Sequence, residues 1–213
     1  MPWNPLERSA LVDALTESGP GAPTLCEGWR TEHLAAHVVL RESSLVAAGA
    51  AVPALAPRAE AAIQDLGHRS ASPANYAALV ARLADGPPRR HPMRFAGDTV
   101  NLLELFVHTE DVRRGVLGAA APARSRSTEH AAALWHHLRR MARLAHARSP
   151  VGVVLAAPQG EVRAAPARGR GEVVVRGALD DVVLHTFGRR GAARVEVEGD
   201  PAAVAAFTRR DAR

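Results

Sequence analysis

Lysine is absent from the 213 residues, cysteine occurs once, and aromatic residues make up 4% of the chain. The single cysteine, Cys26, can form neither an intrachain disulfide nor a thiolate cluster, which excludes disulfide scaffolds and cysteine-rich zinc fingers. A reducing cytoplasm is the expected compartment. With so few aromatics the core has to be built from Leu, Val and Ala, which suits close-packed helices and argues against an all-β sandwich. No run approaches the ~18 apolar residues of a membrane span, and the first residues lack the charged and apolar regions of a signal peptide. No membrane partner is expected.

All 27 basic residues are arginines, set against 22 acidic ones for a net charge of +5. Because arginine titrates only above about pH 12, the sequence pI near 10.9 reflects that choice of residue more than a large excess of charge. The arginines are scattered rather than gathered into a stripe with aromatics, so no nucleic-acid partner is expected. At 47% hydrophobic and 23% charged, the chain has a globular composition and the length to bury a sizeable core.

Periodicity divides the chain in two. Leu6, Ala10, Leu11, Ala14 and Leu15 recur at helical spacing over residues 5–17, with Pro5 suited to a first turn. The glycine- and proline-rich stretch 19–29 reads as a loop. Thr31 is the expected N-cap of a second helix that Gly49 stops, and a short helix is expected around 58–66. Ser72, Pro73 and Gly86 bracket a third long helix. Asp98 is the expected cap of a helix running to about residue 118, and residues 125–128 lead into a last long one. These elements predict a four-helix bundle over 1–148, mainly α in class.

After Pro150 the pattern changes. The β-branched runs 151–157 and 171–177 and the alternating 193–200 read as strands, and 178–190 and 201–210 as helices. Together they predict a small α+β C-terminal domain over 151–213, packed on the bundle, with 165–171 as a loop between strands.

The segment 101–114 carries the chemistry. Glu104 sits among Leu102, Leu103, Leu105, Phe106 and Val107, where an unpartnered carboxylate would be costly. On a helix, Asn101, Glu104, His108 and Asp111 form one polar stripe on an apolar background, and a stripe of this kind facing a bundle core is where metal sites are built. The second helix supplies His37, flanked by small and aliphatic residues, with Arg41 one turn below. Bringing His37 against Glu104 and His108 yields two nitrogens and one carboxylate oxygen, a set suited to Zn, Fe or Ni with room for water or substrate.

Blander readings stand beside this one. A lone helical histidine is commonly a satisfied core residue, and Glu-x3-His recurs by chance. Asp111 fits either a partner behind the ligands or a ligand itself, and with Arg113 and Arg114 it equally fits a surface ion-pair cluster. His136, His137 and His146 sit beside arginines and read as solvated. A Cys26 nucleophile activated by His37 or His33 lacks a third, orienting group. Measured along the second helix, the loop bearing Cys26 lies roughly 9 Å from His37, so Cys26 is expected to pack the loop with Trp29 rather than act chemically.

The string APTLCEGWRTEHLAAHVVLRE, followed by ELFVHTEDVRRG and then GALDDVVLHTFGRR and VEVEGDP, resembles the mycothiol-dependent maleylpyruvate isomerase-like proteins of actinobacteria, a branch of the DinB-like metal-binding bundles. The likeness covers nearly the whole chain. It implies that His37, Glu104 and His108 hold a divalent metal, zinc above others, and that mycothiol is the thiol cofactor. The activity it implies is isomerisation or S-transfer on a small anionic or electrophilic substrate. A non-catalytic metal- or small-ligand-binding protein of the same fold is the alternative. No matched position reads a substrate; Arg41 and Arg113 are candidate anion contacts by chemistry alone. A monomer or homodimer is expected.

Overall fold

The computed structural model describes residues 3–44, 55–95, 97–167 and 169–211. Among these are eight α-helices and one four-stranded sheet. No helix among them is long and apolar enough to cross a membrane. Contacts divide the chain into two compact units, Met1–Ala121 and Pro122–Arg213.

The first unit is helical. Helix α1 (Asn4–Ser18) carries a proline in its first turn, buries Leu11, Ala14 and Leu15, and ends at Gly19 with φ 70°. Helix α2 (Thr31–Ser43) starts with Arg30, not Thr31, in the cap position. The Arg30 backbone N–H donates to Nδ1 of His33 (3.2 Å), while the Thr31 hydroxyl donates to the Gly19 carbonyl (2.7 Å). Gly49, its expected stop, lies outside the described residues. Helix α3 (Ala56–Arg69) is longer than the expected 58–66, because the pattern extends through Pro57 in its first turn to His68 and Arg69 in its last. Helix α4 (Pro73–Asp85) has the bounds that its sequence signals predict, with the Ser72 side chain accepting from the Asn75 N–H (3.3 Å).

Helix α5 (Gly97–Leu117) packs along α1. The expected cap, Asp98, lies inside it, and its carboxylate accepts instead from the Trp3 and Asn4 backbone N–H groups (2.7 and 2.8 Å). The first turn of α1 has donors that no intrahelical carbonyl reaches, and this carboxylate satisfies two of them. Helices α1, α2, α4 and α5 enclose Leu11, Leu15, Leu34, Val38, Leu79, Leu83, Leu105 and Val112, with α3 against α2. Burying this apolar surface, not helix propensity, is what stabilises the bundle.

The second unit begins with α6 (Thr128–Ala145), capped by Ser127, whose side chain accepts from the His130 N–H (3.2 Å). Strands β1 (Gly152–Ala157), β2 (Gly160–Ala165), β3 (Glu172–Gly177) and β4 (Val195–Gly199) form a sheet in the order β2-β1-β3-β4. Only the β1–β3 pair is parallel. Helices α7 (Leu179–Thr186) and α8 (Pro201–Asp211) pack on the sheet, and α6 packs on β2 and α7. Helix α6 therefore groups with the sheet, and the unit boundary falls at residues 121–122 instead of near 149–150. Strand β2 is missing from the sequence reading because GEVRAA alternates weakly, its outer residues being exposed. His146, read as solvated, is buried and stacks near Phe207 with ring centroids 6.3 Å apart.

Candidate metal centre

Helix α2 places His37 and Arg41 one turn apart, and α5 places Asn101, Glu104, His108 and Asp111 along one stripe. The structure brings the two together. Nε2 of His37 lies 3.2 Å from Oε1 of Glu104, Nε2 of His108 lies 3.3 Å from the same oxygen, and Nε of Arg41 lies 3.4 Å from it. Arg41 also donates from Nη1 to Oδ1 of Asn101 (3.1 Å), which accounts for every member of the expected stripe but Asp111.

Asp111 is fully buried and lies behind His108: its Oδ2 is 2.9 Å from Nδ1 of that ring. A carboxylate bonded to one ring nitrogen fixes the orientation of the other, here Nε2 toward Glu104. The same Oδ2 accepts from the Cys26 thiol at 3.2 Å. Two groups of side chains that could hold a metal ion thus share His108, one with His37 and Glu104 and one with Cys26 and Asp111, each with donor atoms within 4.8 Å of one another.

The protonation states follow from these contacts. Burial opposes the charge on Glu104, but hydrogen bonds from His108 and His37 and the charges of His108 and Arg41 outweigh it, leaving the carboxyl well below its usual range. Burial likewise opposes a charged His108, yet the hydrogen bonds to Asp111, Cys26 and Glu104 hold its pKa well above the ordinary histidine value. Burial lowers that of His37, helped by the neighbouring charges of His108 and Arg41. With no ion bound, the hydrogen bonds around His108 favour its charged form, while burial favours the neutral form of His37.

Two of the three donor–donor distances match the spacing around a tetrahedral ion. Ligand bonds of about 2.0–2.1 Å at tetrahedral angles place donor atoms roughly 3.3 Å apart, and the two imidazole nitrogens lie 3.2 and 3.3 Å from the Glu104 oxygen. The side chain of Glu104 is 32% exposed, against 16% for His37 and 8% for His108, so the cluster opens to solvent on the Glu104 side.

Arg113 is placed elsewhere. Nine residues from Glu104 along α5, it lies about 180° around the helix and pairs with Glu110 (2.6 Å), which Arg114 also holds (3.0 Å). Sequence reasoning missed two things. Glu110 and Arg114 are buried beside Asp111, where a solvated ion pair was the competing expectation. Cys26 reaches α5, which distance along α2 alone does not reveal; Gly115, one turn past Asp111, is the signal that could have pointed to it.

A family model described as the mycothiol maleylpyruvate isomerase N-terminal domain matches residues 7–113. No curated protein matches the chain. A crystal structure of a mutant of the mycothiol-dependent maleylpyruvate isomerase aligns over 93% of this chain and 90% of that one, with a TM-score of 0.55 and 19% identity. That likeness extends the fold, a DinB-like helical bundle followed by a small α+β unit, over both halves of the molecule. On the strength of the sequence match over the bundle that carries His37, Glu104 and His108, the chain belongs to the mycothiol maleylpyruvate isomerase N-terminal domain family.

Proposed function

We propose that the chain binds one divalent metal ion, zinc, through His37, Glu104 and His108. In this reading it acts in the cytoplasm as a mycothiol-dependent isomerase or S-transferase on a small anionic or electrophilic substrate. The observation that carries the reading is the convergence of two imidazole nitrogens on one carboxylate oxygen at tetrahedral spacing, beside an opening to solvent. An ion held there would supply Lewis acidity, lowering the pKa of a thiol bound to it so that thiolate forms near neutral pH.

The chain's own residues do the rest. Asp111 keeps Nδ1 of His108 occupied and Nε2 turned toward Glu104. Arg41 presents a guanidinium 3.4 Å from Glu104, where it can orient an anionic group entering on the open side. The one cysteine is hydrogen-bonded to Asp111, behind His108 from the Glu104 side, so the reacting sulfur is assigned to a small-molecule thiol.

Metal analysis of protein purified without a histidine tag should find about one equivalent, lost in a folded His108→Ala variant. Absence of metal from folded wild-type protein refutes the reading. Adding mycothiol to cobalt-substituted protein should then produce a thiolate-to-cobalt charge-transfer band. Its absence, with no turnover of maleylpyruvate, favours a binding protein that kept the site without catalysis.

A further inference from the structure

The loop 23–30 touches both halves of the candidate centre. It is closed on itself by a bridge between Pro23 and Arg30, by the Thr24 hydroxyl donating to the Trp29 carbonyl (2.9 Å), and by the Trp29 N–H donating to the Cys26 carbonyl (3.0 Å). It is also fastened to α5, where the Leu25 N–H donates to the Asp111 carbonyl (3.0 Å). The approach is backbone against backbone. A Cβ on Gly115 would lie 2.4 Å from the Pro23 carbonyl oxygen and 2.5 Å from Cα of Thr24, so only glycine lets the loop come this close.

From this position the loop sends one side chain to each histidine. The Cys26 thiol donates to Oδ2 of Asp111, the atom that holds Nδ1 of His108. The Trp29 ring lies against the His37 ring with centroids 5.1 Å apart, and its far end is pinned where Nε1 donates to Oε1 of Glu60 on α3 (3.1 Å). The thiol fixes which lone pair of Asp111 is left for the imidazole, and the indole limits rotation of the other imidazole about its χ2 angle.

We propose that the loop 23–30 aims both ligand histidines, with Cys26 and Trp29 as positioning residues: Cys26 acts on His108 through Asp111, and Trp29 on His37 by packing. This rests on the metal-binding reading above. Neither residue ligates or attacks; their work is to hold the two Nε2 atoms converged on Glu104.

The test uses the full-length protein and three variants, Cys26→Val, Cys26→Ser and Trp29→Leu. Zinc affinity is measured by competition with a chromophoric chelator, and the imidazole ring resonances of His37 and His108 are followed by NMR without added metal. Valine fills the space of the thiol without a donor, whereas serine restores one. Cys26→Val should bind zinc roughly tenfold more weakly, at the low end for partners behind a ligand, with Cys26→Ser within about twofold of wild type. Trp29→Leu should weaken zinc binding and broaden or shift the His37 resonances, leaving those of His108 in place. Wild-type affinity in both Cys26→Val and Trp29→Leu overturns the proposal. So does a Cys26→Ser variant as weak as Cys26→Val, since the sulfur itself would then be needed. If wild-type protein takes no zinc, the metal-binding reading fails. The inference is then decided by the NMR arm: it survives if Cys26→Val moves His108 and Trp29→Leu moves His37, and falls if neither does.

Discussion

Replacing Asp111 by Asn tests how much of the centre depends on a charge that touches neither solvent nor the proposed ion. Asp111 is fully buried, and its Oδ2 faces Nδ1 of His108 at 2.9 Å and the Cys26 sulfur at 3.2 Å. Asparagine has the same shape, and its amide oxygen can still accept from Nδ1, so the ring keeps its orientation. What disappears is the negative charge. A hydrogen bond to a charged group contributes about 1.5–3 kcal/mol and a neutral one about 0.5–1.5 kcal/mol. The difference of about 1–1.5 kcal/mol corresponds to zinc binding weakened by roughly 5- to 15-fold. Chelator competition reads this directly, with circular dichroism confirming the fold. An Asp111→Asn variant within about twofold of wild type would refute the reasoning. A loss beyond about 100-fold would refute it from the other side, because Asp111 would then be acting as a ligand.

Three further outcomes are expected. Glu42 receives both Nη atoms of Arg8 (2.8 and 2.6 Å) with its side chain 3% exposed, so Glu42→Ala should cost about 3–5 kcal/mol in urea unfolding. The double change Arg8→Met with Glu42→Leu should recover most of that loss; a single-variant cost under about 1 kcal/mol would show that the pair is well hydrated. Gly115→Ala should push the loop off α5 and weaken zinc binding, and unchanged affinity in that variant would mean the close approach is dispensable. In the second unit, burial above all, then the charges of Arg190 and His146, lower the pKa of His185 from 6.5 to about 4. The folded state keeps His185 neutral while the unfolded chain takes up a proton. Stability present above pH 6.5 should therefore fall by roughly 3 kcal/mol as pH drops toward 4, a loss that His185→Leu abolishes; a pH profile identical in that variant contradicts the assignment.

What the sequence made legible lies within single elements. The stripe Asn101, Glu104, His108 and Asp111 follows from helical spacing, and Ser72, Pro73 and Gly86 mark α4 because capping is a contact between near neighbours in the chain. What it hid depends on a partner far along the chain. Asp98 looks like the cap of its own helix, yet the donors that need it belong to α1, 95 and 94 residues away. Helix α6 carries the same signals as a bundle helix, and only the surface it meets assigns it to the sheet. His146 sits among arginines in sequence and against Phe207 in space.

Helical phase explains how one family of side chains is divided between chemistry and structure. Arg41 and Arg113 are equally plausible anion contacts on charge alone. Arg41 is four residues from His37, hence on the same face of α2, and its guanidinium reaches Glu104 and Asn101. Arg113 is on the same helix as Glu104 but about half a revolution away, where Glu110 engages it. Cys26 has no such phase, because it lies on a loop and its position is set by whatever the loop meets. That surface is α5 at Asp111 and Gly115, and it places the thiol behind His108 rather than beside the open edge at Glu104. A sulfur needed as nucleophile belongs at the open edge, and a donor needed to steady an imidazole belongs behind it; the chain has built the second arrangement.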